Sequence, residues 1–314
     1  MLYGTPIAIL LTRSPKPYLT ESERRWGLLF AIVAAFGFSF KAILVKLAYP
    51  FGVDAVTLLA LRMVFALPVF LWVGFTASRG GSVLSASDWT TVAVLGLLGY
   101  YGASILDFLG LKYISAGLER LILFTYPTIT LLLGMAFHGR PVTRREWIAL
   151  GLCYLGIGAA FVHDLKLSGN TTAVWMGAGF VFASSVSYAL YLSGSAGMIA
   201  KLGASRFTAL AMLFSTAATL GHFFASQPPA VLLQQPWQVY ACGAAMGLFS
   251  TVIPVFAQSA AIRRLGSGRA ALIGMVGPLL TIVFAWLLLD EGFSTAQMLG
   301  VSLVIAGIVL VGRK

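Results

Sequence analysis

Two stretches, "SAGLERLILFTYPTITLLL" at residues 115–133 and "GSGRAALIGMVGPLLTIVF" at 266–284, decide how this chain is read. Each opens on small residues, continues as a largely apolar run and carries a proline at the same place, Pro127 in one and Pro278 in the other. They lie 151 residues apart, and the same shift superimposes Gly52 on Gly203, Thr57 on Thr208, Gly96 on Gly247, Gly117 on Gly268 and Gly156 on Gly307. One register serves matches along most of the chain, as an internal repeat of about half its length requires.

What repeats is apolar helix. Of 314 residues, 59% are hydrophobic and only 10% charged, against roughly 25% charged in soluble domains. Runs of about 20 apolar residues suffice for a helix to cross about 30 Å of hydrocarbon. Ten such runs are expected, at 26–45, 55–75, 90–111, 118–137, 147–162, 173–192, 207–224, 239–260, 270–289 and 296–311. The predicted fold is an all-α integral membrane protein of ten transmembrane helices, arranged as two inverted five-helix repeats. Residues 1–25 form a cytoplasmic tail, 26–165 the first repeat and 166–314 the second. The fifth and tenth runs are short, which suggests a peripheral position. Inversion follows from arithmetic, because an odd number of crossings makes the second copy enter from the opposite side.

Charge sets the orientation. With the N-terminus inside, 15 of the 21 Lys and Arg residues fall on cytoplasmic segments and four on outer ones. Positive charge favours the cytoplasmic side, so both termini are expected there, in the cell's inner membrane. The formal net charge of +11 is thereby explained without nucleic acid, which needs a clustered basic face. Cys153 and Cys242 lie within apolar runs and read as packing residues.

Inverted repeats are the architecture of secondary transporters, in which two related bundles rock about a site near the bilayer midplane. Pro127 and Pro278 are candidate bends, since proline removes a helix hydrogen bond. The chain also resembles the EamA family of the drug/metabolite transporter superfamily. The resemblance rests on "GLKYISAGLERLILFTYPTITLLLG" at 110–134 and "LGSGRAALIGMVGPLLTIVFAWLLLDEGFSTAQMLGVSLVIAGIVLV" at 265–311, and covers the chain from Trp26 to Arg313. The step Leu289, Asp290, Glu291 is similar to the family's acidic turn, whereas Gly139 and Arg140 depart from it in the first half. The resemblance implies a small-molecule permease, importer or efflux carrier, with a central cavity lined by helices 1, 3, 4, 6, 8 and 9.

Ionisable residues inside the runs are the candidate site. At about 1.5 Å of rise per residue, Lys41 and Arg62 fall roughly 6 to 10 Å from the outer boundary. Asp107, Glu119 and Arg120 approach the same level. A lone charge near the bilayer centre costs at least about 2.5 to 3.5 kcal/mol, so these groups are expected to face one another or a wet cavity. Two readings compete. In one, Lys41 or Arg62 attracts an anionic group of the substrate while Asp107 or Glu119 carries a coupling proton. In the other, two ion pairs tie helices 1 to 4 together, with Asp107, Glu119, Arg62 and Arg120 as candidate members, or Lys41 and Arg62 snorkel to the outer headgroups. Helical spacing adds Tyr100 and Ser104 beside Asp107, Tyr126 beside Glu119, and Tyr188 and Tyr191 with Ser184 on the sixth helix; Gln258 is the one long amide of the eighth. Such a wall suits an amphiphilic, amino-acid-like metabolite or drug.

Other classes fare less well. No G-x-x-x-x-G-K-[ST] loop is present for an ATP-driven pump. His138, His163 and His222 show no catalytic or metal-binding spacing, so no metal and no cofactor is expected. The competing functions are a membrane-embedded enzyme acting on lipid and a lipid flippase. The expected partners are membrane lipid, the small-molecule substrate and protons as candidate coupling ion.

Overall fold

In a computed structural model of the protein, residues 21–79, 81–138, 144–168, 170–265, 270, 273–274, 276–291 and 295–312 are described. Every regular element among them is helical. Residues 1–20 of the tail, Gly139 and Arg140, and Gly268 of the second repeat lie outside the described residues.

The first half comprises α1 (Glu21–Ala48), α2 (Ala55–Ser78), α3 (Ala86–Gly96), α4 (Ala103–Leu111), α5 (Ala116–Leu123), α6 (Tyr126–His138) and α7 (Arg144–Ser168). The second comprises α8 (Thr171–Leu202), α9 (Ala204–Ser226), the short α10 (Ala230–Leu233), α11 (Trp237–Gly247), α12 (Ile253–Leu265), α13 (Val276–Leu289) and α14 (Thr295–Gly312). Polar side chains set the helix starts by accepting from N–H groups that a first turn leaves free. Asp54 Oδ1 accepts from the amides of Val56 and Thr57 at 2.9 and 3.0 Å. Ser85 and Asp88 form a reciprocal capping box on α3. Ser115 caps α5 and Asn170 caps α8, each at 3.0 Å.

Six helical segments among the described residues are long and apolar enough to cross a membrane: Glu21–Phe51, Ala55–Ser78, Ala86–Leu111, Thr171–Leu202, Ala204–Ser226 and Trp237–Leu265. They form two sets of three, and each start in the second set lies within two residues of the 151-residue shift. A finer mark sits inside the third member of each set. The helix widens to a π turn at Leu97–Gly102 and again at Leu248–Val252, one residue after Gly96 and after Gly247. Both glycines permit close approach. A Cβ on Gly96 would collide with the Ala211 carbonyl oxygen of α9, and one on Gly247 would lie 3.0 Å from the Arg62 carbonyl oxygen and from Phe65 Cβ of α2.

Helix contacts follow the same exchange. The α1 helix packs on α12 as α8 packs on α4, α3 packs on α9 as α11 packs on α2, and α2 meets α9 between the halves. Helices α7 and α14 pack chiefly against each other.

Two expectations change in detail. The fourth run is not one helix but α5 and α6, separated at Phe124 and Thr125. Pro127 stands in the first turn of α6, where its missing N–H is tolerated, and the chain breaks just before it. Thr125 Oγ1 secures the break, donating to the Ile122 carbonyl at 2.8 Å and lying 2.6 Å from Ser185 Oγ of α8. Pro278 lies in α13, and residue 275, just ahead of the described part of that helix, is outside the described residues. The fifth helix is longer than expected, 25 residues, because it continues through polar ends that hydropathy does not register.

The acidic turn also acquires a physical role. Glu291 Oε1 accepts from the Ala116 amide at 3.1 Å, so the segment following α13 of the second half caps α5 of the first.

Candidate functional site

Between the two halves lies a cavity of about 110 Å³. Its wall is built from α1, α2, the first π turn with α4, α5, α6, α8, the second π turn with α12, and Gly274 and Gly277. Lys41, Tyr100, Ser104, Tyr126, Tyr188 and Gln258 line it, as do Arg62 and Arg120. Asp107, Glu119 and Tyr191 do not. Arg62 adds α2 to the helices that the resemblance implies.

Tyr191 stands one layer behind. Its hydroxyl lies 2.6 Å from that of Tyr100, and its ring stacks with Tyr188 and Phe207 at centroid distances of 5.6 and 6.3 Å. Gly99 is what admits it: a Cβ there would collide with the Tyr191 ring. The first π turn is anchored to α8 by serine hydroxyls. Ser187 Oγ donates to the Leu98 carbonyl at 2.7 Å and Ser184 Oγ to that of Ala103 at 2.6 Å, so polar backbone at the wider turn is satisfied inside the bundle. Beside the cavity, the Ser39 hydroxyl is shared between the Ala35 carbonyl of its own helix at 2.6 Å and the Gly277 carbonyl at 3.1 Å, and Thr281 Oγ1 donates to the Ser39 carbonyl at 3.2 Å, joining α1 to α13.

The five ionisable groups of the first half converge. Lys41 Nζ lies 2.7 Å from Asp107 Oδ2. The Asp107 and Glu119 carboxyls lie against each other. Arg120 Nε is 3.6 Å from Glu119 Oε2, and Arg120 Nη2 donates to the Phe38 carbonyl at 2.7 Å. Arg62 Nη2 donates to Ser104 Oγ at 3.0 Å, and its guanidinium lies 5.4 Å from the centre of the Phe108 ring. Tyr49, past the end of α1, donates to the Phe108 carbonyl. The network therefore joins α1, α2, α4 and α5, with the cations toward the cavity and the carboxyls behind them. Among the described residues no three His, Cys, Asp or Glu side chains cluster as a metal site would require.

Sequence reasoning passed over the hydroxyls of Ser39, Ser250 and Thr251, which also line the cavity. The repeat register contains the signal for two of them: Ser250 and Thr251 are the counterparts of Gly99 and Tyr100, just as Gln258 is the counterpart of Asp107.

Comparison with known proteins agrees with this architecture. A family model described as the EamA-like transporter family matches residues 25–162 and 175–313. The uncharacterized transporter YcbK of Bacillus subtilis strain 168 is 29% identical over 287 residues, covering 88% of this chain and 90% of its own. The uncharacterized transporter sll1319 of Synechocystis is 24% identical over 313 residues, covering 92% and 93%. A crystal structure superimposes with a TM-score of 0.64 over 91% of this chain and 96% of its own; at 16% identity that likeness concerns the fold. These relatives carry transporter names rather than enzyme names.

Proposed function

The chain belongs to the EamA-like transporter family, a multi-pass membrane transporter rather than an enzyme, and from that premise we propose a ten-span secondary transporter of two oppositely oriented five-helix halves. The halves rock about the central cavity and expose it alternately to the two sides. Both termini face the cytoplasm of a cell whose inner membrane holds the protein, in keeping with the excess of Lys and Arg on those segments.

The observation that carries this reading is the cavity enclosed jointly by the two repeats, with tyrosines, hydroxyls and cations in its wall. At about 110 Å³ it is of the order of the ~150 Å³ cavity that takes up benzene, which supports a small amphiphilic, amino-acid-like solute over a lipid. The contacting Asp107 and Glu119 carboxyls supply the proton site. Two carboxyl groups in contact avoid like-charge repulsion by holding one proton between them. Lys41 of α1, Arg62 of α2 and Arg120 of α5 surround that pair, so its protonation alters the balance of charge beside the cavity.

Reconstitution into proteoliposomes tests the assignment. Solute flux driven by a pH gradient is expected for the native protein, and Glu119→Gln, which keeps the shape of a protonated carboxyl, is expected to move solute without responding to that gradient. An unchanged response in Glu119→Gln removes the carboxyl pair from coupling.

A further inference from the structure

The charges of the cavity wall are of one sign. Among the described residues it contains Lys41, Arg62 and Arg120 and no Asp or Glu. Two of these cations are engaged, Lys41 by Asp107 at 2.7 Å and Arg120 by the Phe38 carbonyl at 2.7 Å with Glu119 beyond. Arg62 differs. It is 3% exposed, donates to the neutral Ser104 hydroxyl and rests against the Phe108 ring. Among the described residues its Nε has no hydrogen-bond partner; the Asp107 carboxyl acts on it through charge but forms no hydrogen bond with it. Burying a guanidinium whose hydrogen-bonding capacity is unfilled is costly, and an anion arriving in the cavity would lower that cost. The hydroxyls of Ser250 and Thr251 line the same cavity from the other half, and they too are buried without a partner among the described residues.

We propose that Arg62 seats the carboxylate of a small organic acid, with Ser250 and Thr251 available to it from the second half, and that the cavity offers no seat for an ammonium group. This rests on the reading of the cavity as the transport site and narrows its cargo to the acid. A carboxylate accepts parallel N–H bonds from one edge of a guanidinium, and the unpartnered Nε belongs to such an edge. An ammonium group would add positive charge to a wall that already holds three cations, while Asp107 and Glu119 stand behind that wall. A zwitterionic amino acid therefore gains at one end and loses at the other.

Three ligands of one branched skeleton separate the possibilities: 2-hydroxy-3-methylbutanoate, an anion; valine, a zwitterion; and valinol, a cation. Calorimetric titration of the full chain in nanodiscs is expected to rank the hydroxy acid first, valine at least about fivefold weaker and valinol without measurable binding. Arg62→Gln is expected to weaken the hydroxy acid at least about tenfold, with Arg62→Lys recovering part of the loss. Valine or valinol binding as tightly as the hydroxy acid overturns the proposal, and so does absence of hydroxy-acid binding. The ligand ranking uses the unaltered protein, so it stands even if an Arg62 variant fails to fold. Counterflow in proteoliposomes is read separately: the predicted ranking without flux removes the transport reading alone, and flux with valinol preferred removes this one alone.

Discussion

Lys41 Nζ on α1 and Asp107 Oδ2 on α4 form a 2.7 Å ion pair in which the aspartate is wholly buried and the lysine side chain 14% exposed. Removing one member of a buried pair strands the other, at a cost of about 3–5 kcal/mol, whereas removing both is often nearly neutral. Asp107→Asn is therefore expected to lower stability by about that amount, and Lys41→Met with Asp107→Leu to recover most of it. Thermal unfolding of the single and double variants in detergent checks this. A double variant that unfolds as early as the single one shows that the pair does not hold α1 to α4. The same geometry makes Glu119→Gln the cleaner probe of proton coupling, since it leaves the Lys41 pair in place.

Gly96 and Gly247 share a repeat position but differ in what a methyl group would meet. At Gly96 the obstacle is the Ala211 carbonyl oxygen, which cannot rotate away, so Gly96→Ala is expected to cost about 1–3 kcal/mol through overpacking. At Gly247 the nearest atoms lie 3.0 Å away and small shifts relieve the contact, so the loss is smaller. Gly179→Ala on α8 is the control. Nothing lies within 4 Å of its added Cβ, and a helix-interior glycine gains up to about 1 kcal/mol on becoming alanine. The three unfolding temperatures should rank Gly179→Ala, Gly247→Ala, Gly96→Ala, highest first.

Asp88 and Lys201 pair at 2.6 Å between the start of α3 and the end of α8, with the lysine side chain 55% exposed. Exposed pairs contribute about 0.2–1 kcal/mol, so Lys201→Ala is expected to change stability by no more than that. Asp88→Ala should cost more, about 1–2 kcal/mol, because Asp88 also accepts from the Ser85 amide at 3.0 Å and completes the capping box. Equal losses in the two variants, measured by thermal unfolding, would place the cap's contribution below that of the ion pair.

The repeat and the helical class were legible because apolar run length and matched glycines and prolines are local properties of sequence. The convergence of Lys41, Arg62, Asp107, Glu119 and Arg120 was legible for a different reason: depth along a helix can be counted residue by residue. What depth cannot give is rotation. Tyr191 shares a helix face with Tyr188 yet backs Tyr100 instead of meeting the cavity, because Gly99 leaves room for its ring. The π turns were hidden too, since "LLGYYG" and "LFSTV" read as ordinary helix; each begins one residue after a glycine that packs closely on the other half. Thr251 stands at i, i+4, i+7 spacing with Val255 and Gln258 and so shares their cavity face, and Ser250 beside it also lines the wall.

Ser250 offers the sharpest test of where solute passes. It lines the cavity from the second π turn, and its Oγ is buried with no hydrogen-bond partner among the described residues. Ser250→Leu would replace that hydroxyl with a hydrocarbon side chain projecting into the cavity. Removing an unpartnered buried polar group relieves a desolvation cost of about 1–3 kcal/mol, and filling a void restores packing contacts. Stability is thus expected to hold or rise while flux in proteoliposomes falls to background, a combination that a mutation acting through misfolding does not produce. Flux that persists in a stably folded Ser250→Leu protein would mean that the route bypasses this cavity.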